Sequence, residues 1–246
     1  MMSATSISAQ PRIYLRPGFE WDAEDAYLFD IDGTLLRTRD RIHVDAFISS
    51  VHRITGFEVS LQGISMQGST DTAIIREACR LGGVPSALVE DNLQAMLDAM
   101  CTGVEARRNE LRIDIMPGIH DALAHLARRG RLIGVATGNL EVIGWVKIEQ
   151  AGLREWFRFG GFSDRYPVRA ELIAVAARKA REIAGPGSTI CVVGDTPRDI
   201  EAARANSLTV IAVATGRSSF DELMQHEPDA CVTSFADLLA HTGGAK

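Results

Sequence analysis

The fold of this chain is decided by Ala26-Tyr27-Leu28-Phe29-Asp30-Ile31-Asp32-Gly33-Thr34, an apolar run that ends in two acids. The apolar residues predict a buried strand, and Gly33-Thr34 predicts a turn directly after it. Side chains two positions apart point to the same side of an extended chain, so we expect the Asp30 and Asp32 carboxylates side by side. One acid can then act as a nucleophile while its neighbour moves protons, with a divalent cation between them.

Length and composition restrict the class of protein. The 246 residues suffice for one large domain, or for a core domain that carries a smaller insertion. A net charge of -6 argues against a nucleic-acid partner, because nucleic-acid binders usually carry a basic surface. No apolar run is long enough to span a membrane, and residues 1–10 lack the pattern of a signal peptide. We therefore expect a cytoplasmic protein without a membrane partner.

Strands and helices alternate in the second half of the chain. Apolar runs predict strands at 132–136, 159–162, 189–193 and 209–213, each separated from the next by a helical pattern. Strands that are apolar throughout are typical of a parallel sheet covered on both faces. The sequence therefore predicts an α/β fold.

The block between the first strand and this alternating region is different. Residues 38–112 contain no strand-like run, and the periodicity predicts helices near 41–54, 71–81 and 86–108. Ser69 or Thr70 can cap the second of these helices. The predicted organisation is a lead-in at 1–21, a core formed by 22–37 and 113–246, and a helical insertion at 38–112.

Two further polar motifs follow predicted core strands. Thr137-Gly138-Asn139 offers a hydroxyl and backbone N–H groups that can hold an anion. Gly194-Asp195-Thr196-Pro197-Arg198-Asp199 adds two acids that are one helical turn apart. Each motif alone could be an ordinary helix cap. Their recurrence at successive strand ends, where ligands bind in open parallel sheets, favours one common site, and Mg²⁺ would relieve the repulsion among its carboxylates.

The three motifs in this order resemble those of the haloacid dehalogenase-like superfamily, in particular its phosphoglycolate phosphatase-like members. The resemblance implies a Rossmann-like core with an α-helical cap inserted after the first motif, in agreement with the helical block at 38–112. The matching residues are Asp30, Asp32 and Thr34 in the first motif, Thr137 in the second, and Gly194, Asp195 and Asp199 in the fourth.

The resemblance also implies roles for these residues. Asp30 would attack phosphorus and form an aspartyl-phosphate, and Asp32 would protonate the leaving alcohol and then activate water. The remaining implied roles are catalytic support by Thr34, phosphoryl binding by Thr137 with Gly138 and Asn139, and Mg²⁺ coordination by Asp30, the Asp32 backbone carbonyl, Asp195 and, directly or through water, Asp199.

The third motif of the family is where the chain departs from the pattern. The family has a lysine, often followed by proline, before the helix that precedes the fourth motif, and no Lys-Pro occurs here. The candidates for this cation are Arg165, Arg169, Lys179 and Lys147. Arg169 is favoured because it stands at the predicted onset of that helix, although its planar guanidinium is not equivalent to a lysine ammonium.

Residues of the helical block can also be assigned to the substrate. Gly68-Ser69-Thr70-Asp71 resembles the cap loop of phosphoglycolate phosphatase-like relatives, so Ser69, Thr70 and Asp71 are predicted substrate contacts, with helix capping as the alternative. The histidines are predicted to be surface or packing residues, and His43 is the best exception because it lies near the first motif.

These observations predict a Mg²⁺-dependent phosphatase that hydrolyses a small organic phosphomonoester. Dehalogenation is disfavoured because a halide leaving group needs no proton, whereas the carboxylic acid at Asp32 suits an alkoxide that does. The alternatives are a phosphosugar mutase of the same superfamily and a phosphoester-binding protein without turnover. The sequence predicts neither the particular ester nor the oligomeric state.

Overall fold

A seven-stranded sheet forms the centre of the structure, a computed structural model that describes residues 11–243. Of the lead-in predicted at 1–21, residues 1–10 lie outside the described residues. The strands are β1 (Ile13–Leu15), β2 (Ala26–Phe29), β3 (Leu36–Thr38), β4 (Ile113–Ile115), β5 (Leu132–Ala136), β6 (Gly160–Gly161), β7 (Ile190–Gly194), β8 (Thr209–Val213) and β9 (Ala230–Val232).

The order of the strands in this sheet is β1-β9-β8-β7-β2-β5-β6, and all pairs are parallel except β1 with β9. Strand β2 lies between β5 and β7, with Phe29 in register with Val135 on one side and Val193 on the other. The sheet and the helices that flank it confirm the predicted α/β fold with a parallel sheet.

Helices cover both faces of the sheet, as the apolar strands predicted. Along β2, Tyr27 and Phe29 point into one buried apolar cluster, and Ala26 and Leu28 point into the cluster on the opposite face. The helices are α1 (Ile42–Thr55), α2 (Asp71–Leu81), α3 (Ser86–Ala106), α4 (Ile119–Arg128), α5 (Glu141–Gln150), α6 (Arg169–Ala184), α7 (Pro197–Ala205), α8 (Phe220–Met224) and α9 (Phe235–Gly243).

Helices α1 to α3 form a block with its own apolar cluster, which we call the cap. Phe47 of α1, Ile75 of α2 and Met96 of α3 are buried in it. Ile143 and Val146 of α5 belong to the same cluster, so a helix of the core sequence packs against the cap. The two-stranded ribbon of β3 and β4, which the sequence analysis did not predict, lies where the chain enters and leaves the cap.

The prediction of a lead-in as far as residue 21 is wrong for the residues that the structure describes. Strand β1 pairs antiparallel with β9 at the edge of the sheet, and Phe19 and Trp21 are buried in the core. The hydroxyl of Tyr27 donates a hydrogen bond to the Trp21 carbonyl at 2.9 Å. Strands β1 and β9 have three residues each, which is too short for an alternating pattern to be recognised.

Membrane-spanning helices and cysteines can be assessed in the same residues. Among residues 11–243, no helix combines the length and the apolar character that crossing a bilayer requires. The four cysteines, which show no metal-ligand spacing in the sequence, are free thiols.

Candidate active site

The three polar motifs meet because their strands are neighbours. Asp30 follows β2, Thr137 follows β5 and Asp195 follows β7, and β2 lies between the other two strands in the sheet. The Asp30 N–H continues the ladder by donating to the Val193 carbonyl at 2.9 Å. Because all three strands are parallel, the residues after them emerge at one edge of the sheet, as the sequence analysis expected.

A buried cluster of carboxylates occupies this edge. Asp30, Asp195 and Asp199 each place a carboxylate oxygen within 4.8 Å of the others, and all three residues are buried. Thr34 supports the cluster, since its hydroxyl donates to Asp195 Oδ1 at 3.1 Å. The Asp32 carboxylate is not part of the cluster, and the resemblance implied only the Asp32 backbone carbonyl as a ligand.

Glycines make room for these carboxylates. A Cβ added at Gly33 or at Gly216 would overlap the Asp195 side chain, and one added at Gly194 would overlap Asp199. Gly33 also has a φ of +90°, a conformation that a residue with a side chain rarely adopts. Residues with a side chain would therefore not fit at the glycines of the first and fourth motifs, because the Asp195 and Asp199 carboxylates occupy that space.

Arg169, the first residue of α6, is the cation of the cluster. Its Nη2 lies 3.1 Å from Asp30 Oδ1 and 2.6 Å from Asp199 Oδ1, and its Nε donates to the same Asp199 oxygen at 2.7 Å. Two other candidates for the third-motif cation do not reach the site. Arg165 is exposed and does not line the cavity described below, and Lys179 Nζ donates to the Gly160 carbonyl.

Burial and mutual repulsion change the acidity of the cluster. Burial, together with repulsion from Asp199 and Asp32, raises the pKa of Asp30 to about 6 even though the Arg169 charge opposes the shift. The pKa of Asp195 is raised well above its ordinary value by burial and then by the charges of Asp30 and Asp199. Burial alone would lower the pKa of Arg169, but the charges of Asp199 and Asp30 raise it, so the guanidinium stays charged.

These residues fit a hard divalent cation. Asp30 and Asp195 offer carboxylate oxygens, which are the donors that Mg²⁺ prefers, and their mutual repulsion is what a cation would relieve. Asp199 is less available. Its Oδ1 contacts Arg169, and its Oδ2 accepts hydrogen bonds from the Thr196 N–H at 3.1 Å and the Thr196 hydroxyl at 2.6 Å. Asp30 and Asp195 are therefore the better ligands, and Asp199 orients Arg169 beside them.

Asp32 has a cationic partner of its own. Lys147 Nζ lies 2.6 Å from Asp32 Oδ2, and Asn139 Nδ2 donates to the same oxygen at 2.8 Å. Burial alone would raise the pKa of Asp32, but the neighbouring Lys147 ammonium outweighs it and the pKa is lowered. Sequence analysis included Lys147 only as a candidate for the third motif. A lysine within the apolar face of α5, next to Ile143 and Val146, is the signal that could have identified it.

The loop after β5 combines the predicted anion site with this ion pair. The Thr137 hydroxyl oxygen accepts hydrogen bonds from the Asn139 N–H at 3.3 Å and from Asn139 Nδ2 at 2.9 Å. Asn139 Oδ1 accepts from Lys147 Nζ at 2.8 Å. Asn139, predicted as a substrate contact, therefore connects Thr137 to Lys147 and Asp32.

The predicted substrate contacts of the cap loop have different surroundings. Ser69 and Asp71 line the cavity: the Ser69 hydroxyl pairs with Arg198, and Asp71 Oδ2 accepts from the Leu140 N–H at 2.9 Å. Thr70 does not line the cavity. Its hydroxyl accepts from the Ala73 N–H as the N-cap of α2 and donates to the Pro167 carbonyl at 2.7 Å, so capping is the role that the structure supports.

A cavity of 610 Å³ lies between this edge of the sheet and the cap. The predicted residues Asp30, Asp32, Gly138 and Asn139 line it from the core, and His43 lines it from α1. Sequence analysis missed Arg37, Gly216 and Arg217, which also line it. They stand outside the motifs, and the loop after β8 carries no local pattern that would have identified them.

Comparisons with known proteins agree with this geometry. Residues 24–206 match the haloacid dehalogenase-like hydrolase family. Among curated proteins, the chain is 30% identical to a phosphoglycolate phosphatase of Synechococcus elongatus over 127 residues, which is 52% of this chain and 58% of that protein. A second phosphoglycolate phosphatase, from Nitrosococcus oceani, is 20% identical over 222 residues, or 86% of this chain and 93% of that protein.

A solved structure shares the fold. A predicted phosphatase from Clostridium acetobutylicum superimposes with a TM-score of 0.65 and 19% identity, covering 90% of this chain and 99% of that one.

Proposed function

The chain belongs to the haloacid dehalogenase-like hydrolases, and from this premise we propose that it is a Mg²⁺-dependent phosphatase acting through an aspartyl-phosphate. Its substrate is a small organic phosphomonoester. The observation that carries the proposal is the separation of the two acids of the first motif: Asp30 lies with Asp195 and Arg169, whereas Asp32 lies with Lys147.

The surroundings of Asp30 suit a nucleophile. Its side chain is 8% exposed, and the guanidinium of Arg169 and a bound cation would hold its carboxylate ionised for attack on phosphorus. Attack forms the bond between an Asp30 oxygen and phosphorus while the ester P–O bond breaks. Mg²⁺ bound by Asp30 and Asp195 would supply positive charge for the phosphoryl oxygens.

The position of Asp32 at the cavity, and not its lowered pKa, suits proton transfer to and from a substrate. Its side chain is 41% exposed and lines the cavity, and its Oδ2 is held by Lys147 and Asn139. In the first step the proton on Asp32 passes to the leaving ester oxygen as the P–O bond breaks. In the second step Asp32 takes a proton from water as that water attacks phosphorus, which releases Asp30 and inorganic phosphate.

Thr137 and Arg169 complete the binding of the phosphoryl group. Because the Thr137 oxygen already accepts two hydrogen bonds from Asn139, its own hydrogen can donate to a phosphoryl oxygen. Arg169 takes the place of the family's third-motif lysine, and its two-pronged guanidinium can contact the phosphoryl group and Asp30 together. The cavity of 610 Å³ lies under the cap, which favours a small ester over a phosphoprotein.

The experiment is a phosphate-release assay with a panel of small phosphomonoesters that includes phosphoglycolate, the substrate named for the curated relatives. The proposal expects release that requires Mg²⁺ and stops with EDTA. Asp30→Asn should lower kcat by on the order of 10³-fold or more, because the nucleophile is lost. Asp221→Asn, an exposed residue paired with Arg12, is the matched control and should leave the rate unchanged.

Other results would contradict the proposal. Release by Asp30→Asn at the wild-type rate would exclude the aspartyl-phosphate. Transfer of the phosphoryl group to an added sugar phosphate, in place of release to water, would favour the mutase. Binding of the esters without any turnover would favour a phosphoester-binding protein.

A further inference from the structure

Lys147 is a buried cation on a helix whose neighbouring residues are apolar. It is 1% exposed and belongs to the middle of α5, whose residues Ile143 and Val146 pack into the apolar cluster of the cap. Burying an ammonium group is unfavourable unless polar partners compensate for the lost water. An apolar side chain would be more stable at this buried position. The contacts that the ammonium group makes therefore indicate a role other than stability.

The ammonium group has three polar neighbours from different parts of the chain. Nζ lies 2.6 Å from Asp32 Oδ2, 2.8 Å from Asn139 Oδ1 and 3.2 Å from His43 Nδ1. An ammonium can only donate hydrogen bonds, so each of these atoms is an acceptor. The side chain of Lys147 therefore fixes the position of one carboxylate oxygen of Asp32.

The contact with His43 extends this arrangement to the cap. With Nδ1 accepting from Lys147, the other ring nitrogen, Nε2, lies 3.3 Å from Asp71 Oδ2 without forming a hydrogen bond. His43 belongs to α1 and stacks on Phe47 at 5.0 Å between ring centres, and Asp71 begins α2. A continuous series of contacts thus runs from Asp32 in the core, through Lys147 and His43, to Asp71 in the cap.

The two oxygens of Asp32 are made inequivalent by these contacts. Oδ2 is held by Lys147 and Asn139, whereas Oδ1 makes no hydrogen bond within residues 11–243. The oxygen that exchanges the proton is therefore Oδ1, and its direction is set by how Oδ2 is held. Without Lys147, rotation about the side chain of a residue that is 41% exposed would no longer be restricted by an ion pair.

We propose that Lys147 is a positioning residue that orients Asp32 for proton transfer to the leaving oxygen, and that His43 ties this orientation to the docked cap. This proposal rests on the proposed function, because it assumes that Asp32 transfers the proton. Lys147 acts through Asp32, whereas Arg169 and Thr137 are the residues proposed above to bind the phosphoryl group.

The proposal makes the effect of Lys147 depend on the leaving group. An alkyl phosphate leaves as a strongly basic alkoxide and needs the proton, whereas 4-nitrophenyl phosphate leaves as a weakly basic phenolate that hardly needs it. A variant that only misplaces Asp32 should therefore be slow with the alkyl ester and nearly normal with the aryl ester. Removal of a phosphate-binding cation would instead slow both.

The experiment measures kcat and KM of Lys147→Met with the best alkyl ester of the panel and with 4-nitrophenyl phosphate. We expect kcat for the alkyl ester to fall on the order of 10²-fold, against less than about tenfold for the aryl ester, with both KM values nearly unchanged. Lys179→Met is the matched control. It removes another lysine that donates to a backbone carbonyl outside the cavity, and the ratio of the two activities should stay at the wild-type value.

Two further variants keep the proposal open to refutation if Lys147→Met is unstable. His43→Leu should show the same preference for the aryl ester with a smaller loss, and the urea unfolding curve of each variant reports its fold. In the double variant, Lys147→Met should cause no additional loss with the alkyl ester when Asp32→Asn is already present.

Several results would overturn the proposal. Equal losses with the two esters, a rise in KM alone, unchanged activity, or independent losses in the double variant each show that Lys147 does not act through Asp32. A wild-type protein that releases phosphate from neither ester would overturn the proposed function, and this proposal with it, so the two failures are distinguishable.

Discussion

The guanidinium of Arg169 lies 3.1 Å from Asp30 Oδ1, and both side chains are less than one-tenth exposed. Asp30, the proposed nucleophile, therefore has a buried cation of its own, separate from the lysine that holds Asp32. Two residues thus hold the two acids of the first motif, where the resemblance led us to expect one lysine. Arg169 also contacts Asp199, so a single guanidinium balances much of the negative charge of the cluster.

Removal of this cation should destabilise the fold. Arg169→Met leaves Asp30, Asp195 and Asp199 buried without a counter-charge, and we expect the free energy of unfolding to fall by roughly 3–5 kcal/mol at pH 7 without Mg²⁺. Arg169→Lys keeps the charge and should lose less. Urea unfolding in EDTA measures both, with the exposed neighbour Arg165→Met as control, which should change stability by no more than about 0.5 kcal/mol. Equal stability of Arg169→Met and the wild type would show that the cluster is neutral without Arg169.

The stability of the metal-free protein should depend on pH in the direction opposite to that of most acidic residues. The pKa of Asp30 is raised from 3.8 to about 6, and that of Asp195 is also raised. The folded state therefore holds protons more tightly than the unfolded chain. Its free energy of unfolding should fall as the pH rises from about 4 through about 6.

Mg²⁺ should reverse this loss because it binds the ionised carboxylates. The increase in Tm caused by MgCl₂ is therefore expected to be larger at pH 7.5 than at pH 5, and thermal unfolding at constant ionic strength measures it. Asp195→Asn removes one ligand and one of the raised pKa values, so its Tm should respond less to Mg²⁺. An equal increase at both pH values would contradict the assignment of the cation to these carboxylates.

The part of the site that was predictable from sequence is the part encoded in short motifs at strand ends. Asp30, Thr137 and Asp195 each follow an apolar run directly, and the rule that ligands bind at the carboxyl edge of parallel strands brings them together. The helix Asp71–Leu81 begins and ends as predicted because Thr70 caps it and glycines follow it.

The contacts that were not predictable depend on the packing of distant elements. Lys147 reaches Asp32 only because α5 packs between the sheet and the cap, and nothing in the sequence near Lys147 identifies that partner. Strand β1 shows the same limit at the level of the fold. Its three residues have no recognisable period, and their place at the sheet edge comes from pairing with β9, which is more than 200 positions away.

The docking of this N-terminal segment can be tested at Tyr27. Its buried hydroxyl donates to the Trp21 carbonyl at 2.9 Å and accepts from the Glu24 N–H at 3.1 Å. Tyr27→Phe leaves both backbone groups without that partner, and we expect the free energy of unfolding to fall by about 1–3 kcal/mol. Tyr14→Phe, at a half-buried position of β1, is the control and should have a smaller effect in the same urea titration. A Tyr27→Phe protein as stable as the wild type would mean that water replaces both contacts.

The docking of the cap can be tested at Gly138. A Cβ at this position would overlap the carbonyl group of Ser69 in the cap loop, and the Gly138 carbonyl accepts from the Asp71 N–H at 2.7 Å. Since backbone groups cannot move aside as a flexible side chain can, Gly138→Ala should push the cap loop away from the loop that follows β5. We expect a loss of about 1–3 kcal/mol of stability, measured by urea unfolding.

Enzyme kinetics distinguish two responses to Gly138→Ala, namely displacement of the cap loop and accommodation of the added methyl group without displacement. If the cap loop is displaced, the cavity between Ser69 and Asn139 changes shape, so KM should rise while the cluster around Asp30 stays intact. The control is Gly187→Ala, because a Cβ at that exposed glycine meets nothing within 4 Å. Wild-type stability and KM in Gly138→Ala would mean that the cap loop moves without a loss of stability. The close contact between Gly138 and Ser69 would then not be what holds the cap against the core.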